Sequence, residues 1–204
     1  MPTIGRPRAF DTEVALDAAL KVFWRRGYEG ASMTELTKAM NINRPALYSA
    51  YGSKRQLFFR AVDHYYAVDA IHTFQALNEP TARRVTEEYL LRTVEQVTDP
   101  DRPVGCFVLQ TALACGAENF DISQHMAKLR SAAEKELYAR YVRAQTDGDL
   151  LPSENATSLA RLVCTFRHGL AVMACDGSNR YELEESARRM LSLLNVQDIS
   201  SRTS

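Results

Sequence analysis

Residues 32–54, SMTELTKAMNINRPALYSAYGSK, decide how this chain is read. Ser32 followed three residues later by Glu35 has the spacing of a capping box. In that motif the serine hydroxyl accepts from the third amide and the carboxylate accepts from the cap amide. The spacing predicts a helix from Thr34, within one residue, with Leu36 and Ala39 on one face and Thr37 and Lys38 on the other. It ends at Met40, because Asn41 is one of the few side chains that tolerate a left-handed backbone. Ile42 plugs the corner, Asn43 caps a second helix, and Pro45 suits its first turn, where a missing amide hydrogen leaves no bond unmade. Leu47 faces the core of this short second helix, and Ala46 and Ser49 are among the small or polar side chains that point outward. A helix of this kind fits a major groove about 12 Å wide and touches base edges with its first residues.

The surrounding chain is helical, with no sustained period-two alternation. Asp11 caps a first helix that is expected to bury Val14, Ala15, Ala18, Val22 and Phe23 and to stop at Gly27. Ser53 with Gln56 forms another capping box and opens a long helix from Lys54 to about Leu77, broken by Asn78-Glu79-Pro80. Further helices are predicted over 81–98, 104–118, 121–146, 154–175 and 181–195, for nine in all. The fold class is therefore all-α. Residues 1–53 are expected to form a DNA-binding head and residues 54–204 a second helical domain, with helix 54–77 joining the two.

Leu47-Tyr48, Tyr51, Ser53, Lys54 and Leu57-Phe58 resemble the signature of the TetR family of bacterial one-component transcriptional regulators. The resemblance runs from Phe10 to Tyr66 through Ala18-Ala19, Phe23, Gly27-Tyr28 and Leu36. Met40 stands where the family usually has a small Ala, and Asn41 replaces the usual turn Gly. The family implies a homodimer on double-stranded operator DNA, most often a repressor released by a small-molecule inducer, with residues 54–204 as its ligand-binding and dimerisation domain.

Composition agrees. The 204 residues suit one compact unit or two small domains and need neither disulfide nor metal. With no signal peptide and no apolar run of membrane-spanning length, a soluble cytoplasmic protein without membrane contact is expected. Formal charge sums to zero but is uneven: through Arg60 there are ten Lys/Arg against five Asp/Glu, and beyond it fifteen against twenty. The basic part is the expected DNA-facing part.

Arg6 and Arg8 form a short basic arm whose Gly5-Arg6-Pro7 core resembles minor-groove hook peptides; its alternative is a tail that meets only phosphate. Arg44 and Asn43 are the candidate base readers, since Arg pairs with guanine and Asn with adenine. Ser32 and Thr34 are candidate backbone contacts, and Lys54 at a helix N-terminus can share a phosphate with the free amides. Tyr48 and Tyr51 can each donate to phosphate or pack; the family pattern favours Tyr48 for phosphate and Tyr51 for packing.

In the second domain, Ile122, Met126, Leu129, Ala133, Leu137 and Tyr141 recur at helical spacing as a core stripe. Gly105-Cys106-Phe107 is similar to a step in electrophile- and oxidant-sensing members of the family. A Cys at a helix N-terminus has a stabilised thiolate, although most unpaired Cys are small buried hydrophobes. A candidate ligand pocket combines Tyr89, Cys106, Phe107, Gln110, Leu113, Met126, Arg130 and Phe166, chosen by helix position and side-chain type. Cys106 and Cys115 lie roughly 13 Å apart along one predicted helix, too far to bridge. No CxxC pair or His cluster suggests zinc, and no cofactor is implied. The 154–175 helix is apolar over so wide an arc that it must be covered on two sides. Its Ala160, Cys164, Arg167, Ala171 and Cys175, with Leu183, Ala187, Met190, Leu191 and Leu194 of the next helix, are the candidate dimer interface, a four-helix bundle by resemblance. No convergent nucleophile and base marks an enzyme. A non-specific architectural DNA binder, or an enzyme using the C-terminal pocket, is the rival reading.

Overall fold

The computed structural model describes residues 10–113 and 116–194. The helices are α1 (Thr12–Gly30), α2 (Met33–Ala39), α3 (Arg44–Tyr51), α4 (Lys54–Tyr65), α5 (Ile71–Gln75), α6 (Ala82–Val97), α7 (Phe107–Leu113), α8 (Phe120–Thr146), α9 (Ala156–Cys175) and α10 (Arg180–Leu193). A π-helical turn, Tyr66–Ala70, links α4 to α5, and a 3-10 turn, Ala76–Asn78, ends that path. Counted as one rod from Lys54 to Asn78, it brings the helices among the described residues to the expected nine.

Local chemistry sets the ends. Asp11 accepts from the amides of Glu13 and Val14 at 3.0 and 3.2 Å. Gly27, at φ 67°, breaks α1 where a left-handed residue was expected, although a further turn carries the path to Gly30. The Ser53–Gln56 box is complete in both directions, at 3.1 and 2.9 Å. The Ser32 box is half made. Ser32 Oγ accepts from the Glu35 amide at 3.1 Å, but Glu35 turns to the Arg26 guanidinium at 3.3 Å. Asn41 is left-handed (φ 53°), and Asn43 Oδ1 accepts from the Ala46 amide at 2.8 Å.

Several burial expectations need correcting. Val14 is exposed, because α1 turns Ala15, Ala19, Val22 and Phe23 inward and leaves Val14 outside that stripe. Ala39 is also exposed; on so short a helix the inward positions are Leu36 and Met40, one turn apart. The 104–118 helix is shorter than predicted. Gly105 adopts φ 91°, and a Cβ there would collide with Cys175 Sγ, so the chain enters α7 only at Phe107. Cys106 therefore stands just before the helix.

One hydrophobic core runs continuously from the head into the C-terminal helices. Phe107 is central to it, with ring centroids 5.9 Å from Trp24, 5.8 Å from Phe58 and 5.4 Å from Tyr65. Polar ties reinforce the junction. Arg102 is paired with Asp17 of α1 and with Asp69 in the π turn, the latter at 2.6 Å. Glu29 Oε1 accepts from the Gly116 amide at 2.7 Å and from Asn119 Nδ2 at 2.9 Å. Among the described residues no helix is long and apolar enough to cross a membrane.

Candidate DNA-binding head and sensor core

The outward surface of α2 and α3 gathers Ser32, Thr34, Asn43, Arg44, Tyr48 and Ser49, all exposed, with Ala46 half-buried beside them. Leu47 and Tyr51 anchor α3 from behind. The Tyr51 hydroxyl donates to the Thr12 carbonyl at 2.8 Å, which uses it inside the head, whereas Tyr48 remains half exposed. Arg44 donates to Thr34 Oγ1 at 3.0 Å, so its guanidinium is held across the mouth of the helix-turn-helix before any partner arrives. Lys54 is folded back, its ammonium 4.6 Å from the Tyr28 ring centroid and 3.5 Å from the Glu29 carbonyl. Burial lowers its pKa, with the Glu29 charge opposing. Arg6 and Arg8 lie outside the described residues.

The proposed pocket residues divide. Tyr89, Phe107 and Met126 are fully buried and Cys106 nearly so. Gln110 sits at the edge, where Nε2 reaches the Val104 carbonyl at 3.1 Å and Cys175 Sγ at 2.8 Å. Arg130 is half-buried and donates to the Val108 carbonyl at 3.4 Å. Leu113 belongs to α7 by its backbone, and its side chain falls outside the description, as does all of Cys115. Phe166 sits at the margin of this core: it is half-buried and packed against it, and it also lines open grooves on the α9–α10 outer surface with Met190, Met173 and Leu193. One residue along a helix rotates the side chain by about 100°, and it is Arg167 that points inward.

A polar relay surrounds Cys106. Its Sγ lies 3.5 Å from Tyr65 Oη, Gln96 Nε2 donates to that same hydroxyl at 3.0 Å, and Thr73 donates to Gln96 Oε1 at 3.3 Å. Burial holds the Tyr65 phenol well above its ordinary pKa and pushes Tyr66 and Tyr89 up to about 12, so all three are neutral at physiological pH. His168 is pushed down to about 4 by burial and by the Arg167 and Arg130 charges, and is also neutral. Tyr65 is the last residue before the π turn, a geometry often found at functional positions in helices. Sequence reasoning missed Tyr65, Gln96 and Arg102. A Tyr-Tyr pair on an amphipathic helix reads as ordinary packing, and only an Arg between two breaker prolines hinted at a fixed loop.

The dimer surface also needs correction. Ala160, Cys164, Arg167, Ala171, Leu183, Ala187, Met190 and Leu191 are buried within the protomer itself, so the small-residue stripe faces its own core. Cys175 is exposed, and Leu194 half-buried. The large hydrophobic side chains left outward on α9 and α10 are Leu162, Val172, Met173, Tyr181 and Leu193, 45–70% exposed. Among the described residues no His/Cys/Asp/Glu group could hold a metal ion.

Residues 15–61 match the family described as bacterial regulatory proteins, tetR family. The chain is similar to the HTH-type transcriptional repressor ComR of Escherichia coli, at 28% identity over 93% of this chain and 91% of the relative. It is similar to the repressor BdcR of the same organism, at 29% over 88% and 86%. A cysteine mutant of the TetR family transcriptional regulator CifR, solved with a 26 bp double-strand operator, superposes with a TM-score of 0.88 and 38% identity, covering 92% of this chain and 99% of that one. A helix-turn-helix with an unburied reading face, joined to a relative alike along its whole length, places this chain in the TetR family of bacterial transcriptional regulators.

Proposed function

We propose that the protein is a homodimeric repressor that binds a pseudo-palindromic double-stranded operator and lets go when its core is occupied or modified at Cys106. The observation that carries this reading is the outward face of α3, where Asn43, Arg44, Tyr48 and Ser49 have no burial role and stand on a rigid head. The operator complex of CifR supports the DNA partner, and the repressor names of ComR and BdcR support the sign of regulation. Pairing of the outer α9–α10 faces by a two-fold axis would set two reading heads about one helical turn apart.

The junction supplies a path from the core to the heads. A group added at Cys106 displaces Tyr65 and the adjacent Phe107, and these touch α4 and α1 directly. Arg102 carries the same displacement to Asp17 and Asp69. An effector that favours the displaced state weakens operator binding by the factor by which operator weakens effector binding.

Two expected results test this. Arg44→Ala should cost roughly 1–3 kcal/mol on the selected operator and relax preference at one base position; a uniform loss on all DNA would make Arg44 a phosphate contact instead. Treatment with hydrogen peroxide should release operator from the wild type and from Cys175→Ser but not from Cys106→Ser, followed by fluorescence anisotropy of labelled operator. Equal release from Cys106→Ser would remove thiol chemistry at this position from the account.

A further inference from the structure

Thr34 of α2 and Arg44 of α3 meet on the outward face of the head. Arg44 Nη2 donates to Thr34 Oγ1 at 3.0 Å, and both side chains are exposed. A surface guanidinium on a long stem ordinarily samples many rotamers or is captured by a carboxylate. Arg44 has no carboxylate within ion-pair distance among the described residues, and Glu35, which follows Thr34, is turned to Arg26 at 3.3 Å.

Both ends of the contact stand on fixed backbone. Thr34 lies in the first turn of α2 behind the Ser32 cap, and its carbonyl accepts from Thr37 Oγ1 at 3.2 Å. Arg44 opens α3 between the Asn43 cap and Pro45, whose fixed φ suits a first helical turn. The left-handed Asn41, and the bond from the Ile42 amide to the Thr37 carbonyl at 3.1 Å, set the corner that brings the two side chains together.

We infer that Thr34 is the positioning residue for Arg44: its hydroxyl holds the guanidinium in the pose that reads one base pair and so helps to set the sequence preference of the head. This role deepens the operator-binding reading above and rests on Arg44 being a base reader. Each terminal nitrogen of a guanidinium carries two hydrogens. Nη2 therefore keeps its bond to Thr34 with one of them and, together with Nη1, presents a fork to O6 and N7 of guanine. A neutral hydroxyl suits the task. A carboxylate in its place would hold the guanidinium more tightly and cancel the charge that draws it to DNA, whereas Thr34 fixes direction and leaves the charge intact. An arginine already ordered also loses less freedom on binding. Without the hydroxyl, Arg44 would swing to a phosphate on a wrong sequence and recover there part of what it lost at the base, which erodes discrimination at one position.

The test offers a random double-stranded DNA library to the full chain and reads base enrichment at every position. The proteins compared are the wild type, Arg44→Ala, Thr34→Val, Thr34→Ser and the Arg44→Ala/Thr34→Val double variant. Thr34 is exposed, so its variants are expected to melt within about 2 °C of the wild type. Thr34→Val keeps nearly the same shape without the acceptor. It lowers enrichment of the preferred base by about 3–10-fold at the position that Arg44→Ala relaxes and leaves the others unchanged. Thr34→Ser, which returns the hydroxyl, recovers most of that preference, and the double variant matches Arg44→Ala alone. Because enrichment is a ratio between bases, a phosphate contact made by the same hydroxyl drops out of it. Thr34 loses the positioning role if Thr34→Val leaves every preference as in the wild type, relaxes a different position, or adds to Arg44→Ala at the shared one. The premise fails separately: a wild type that enriches no sequence, or Arg44→Ala with every preference intact, rejects base reading by Arg44 and the role of Thr34 with it.

Discussion

Leu162→Glu combined with Met173→Glu is expected to convert the proposed dimer into monomers and to weaken operator binding by about 10²–10⁴-fold. Both side chains are about half exposed on the outer face of α9, 48% and 50%, so the protomer does not depend on them for its own core. In a two-fold interface each substitution appears twice, and four unpaired carboxylates would be buried together. Each head alone keeps its contacts to one half-site, and the loss comes from the second half-site no longer being held nearby. Sedimentation equilibrium reads the mass and a filter-binding titration reads the affinity. A double variant that remains dimeric and binds normally would move the interface away from α9.

Phe107→Ala is expected to lower the unfolding free energy by about 3–5 kcal/mol, as for other large aromatic deletions in cores. Total stabilities are about 5–15 kcal/mol, so the variant should sit near the edge of folding at physiological temperature. Its ring is fully buried and packs against Trp24 of α1 and against Phe58 and Tyr65 of α4, so the cavity opens where head and core meet. Urea unfolding followed by Trp24 fluorescence measures it, Trp24 being the chain's single tryptophan. A loss under about 1 kcal/mol would mean that the junction repacks freely and cannot transmit a displacement.

The contrast between what the sequence disclosed and what it hid follows from the range of the forces involved. Capping is local chemistry. Asp11, Ser53, Asn43 and the left-handed Asn41 were therefore readable from neighbours two or three residues away, and the reading head came out nearly whole. The π turn at Tyr66–Ala70 was not readable, because one inserted residue leaves the apolar pattern continuous while rotating everything after it. The α7 start was misplaced because Gly105 is set by its approach to Cys175, seventy residues on. The α9 stripe was assigned outward for a similar reason. A helix apolar on two sides does not say which side meets its own core, and here the small residues do. Arg167 reads as an interface residue rather than a core one because burial of a guanidinium runs against the ordinary distribution of arginine.

The central claim, that paired α3 helices read a specific sequence, is tested most directly by selecting bound DNA from a random double-stranded library at physiological salt. The account predicts an enriched palindrome whose half-sites are centred about one helical turn, or a small multiple of it, apart. Recovery of no preferred sequence, with affinity falling steeply in salt alone, would contradict it and make the protein a non-specific DNA binder.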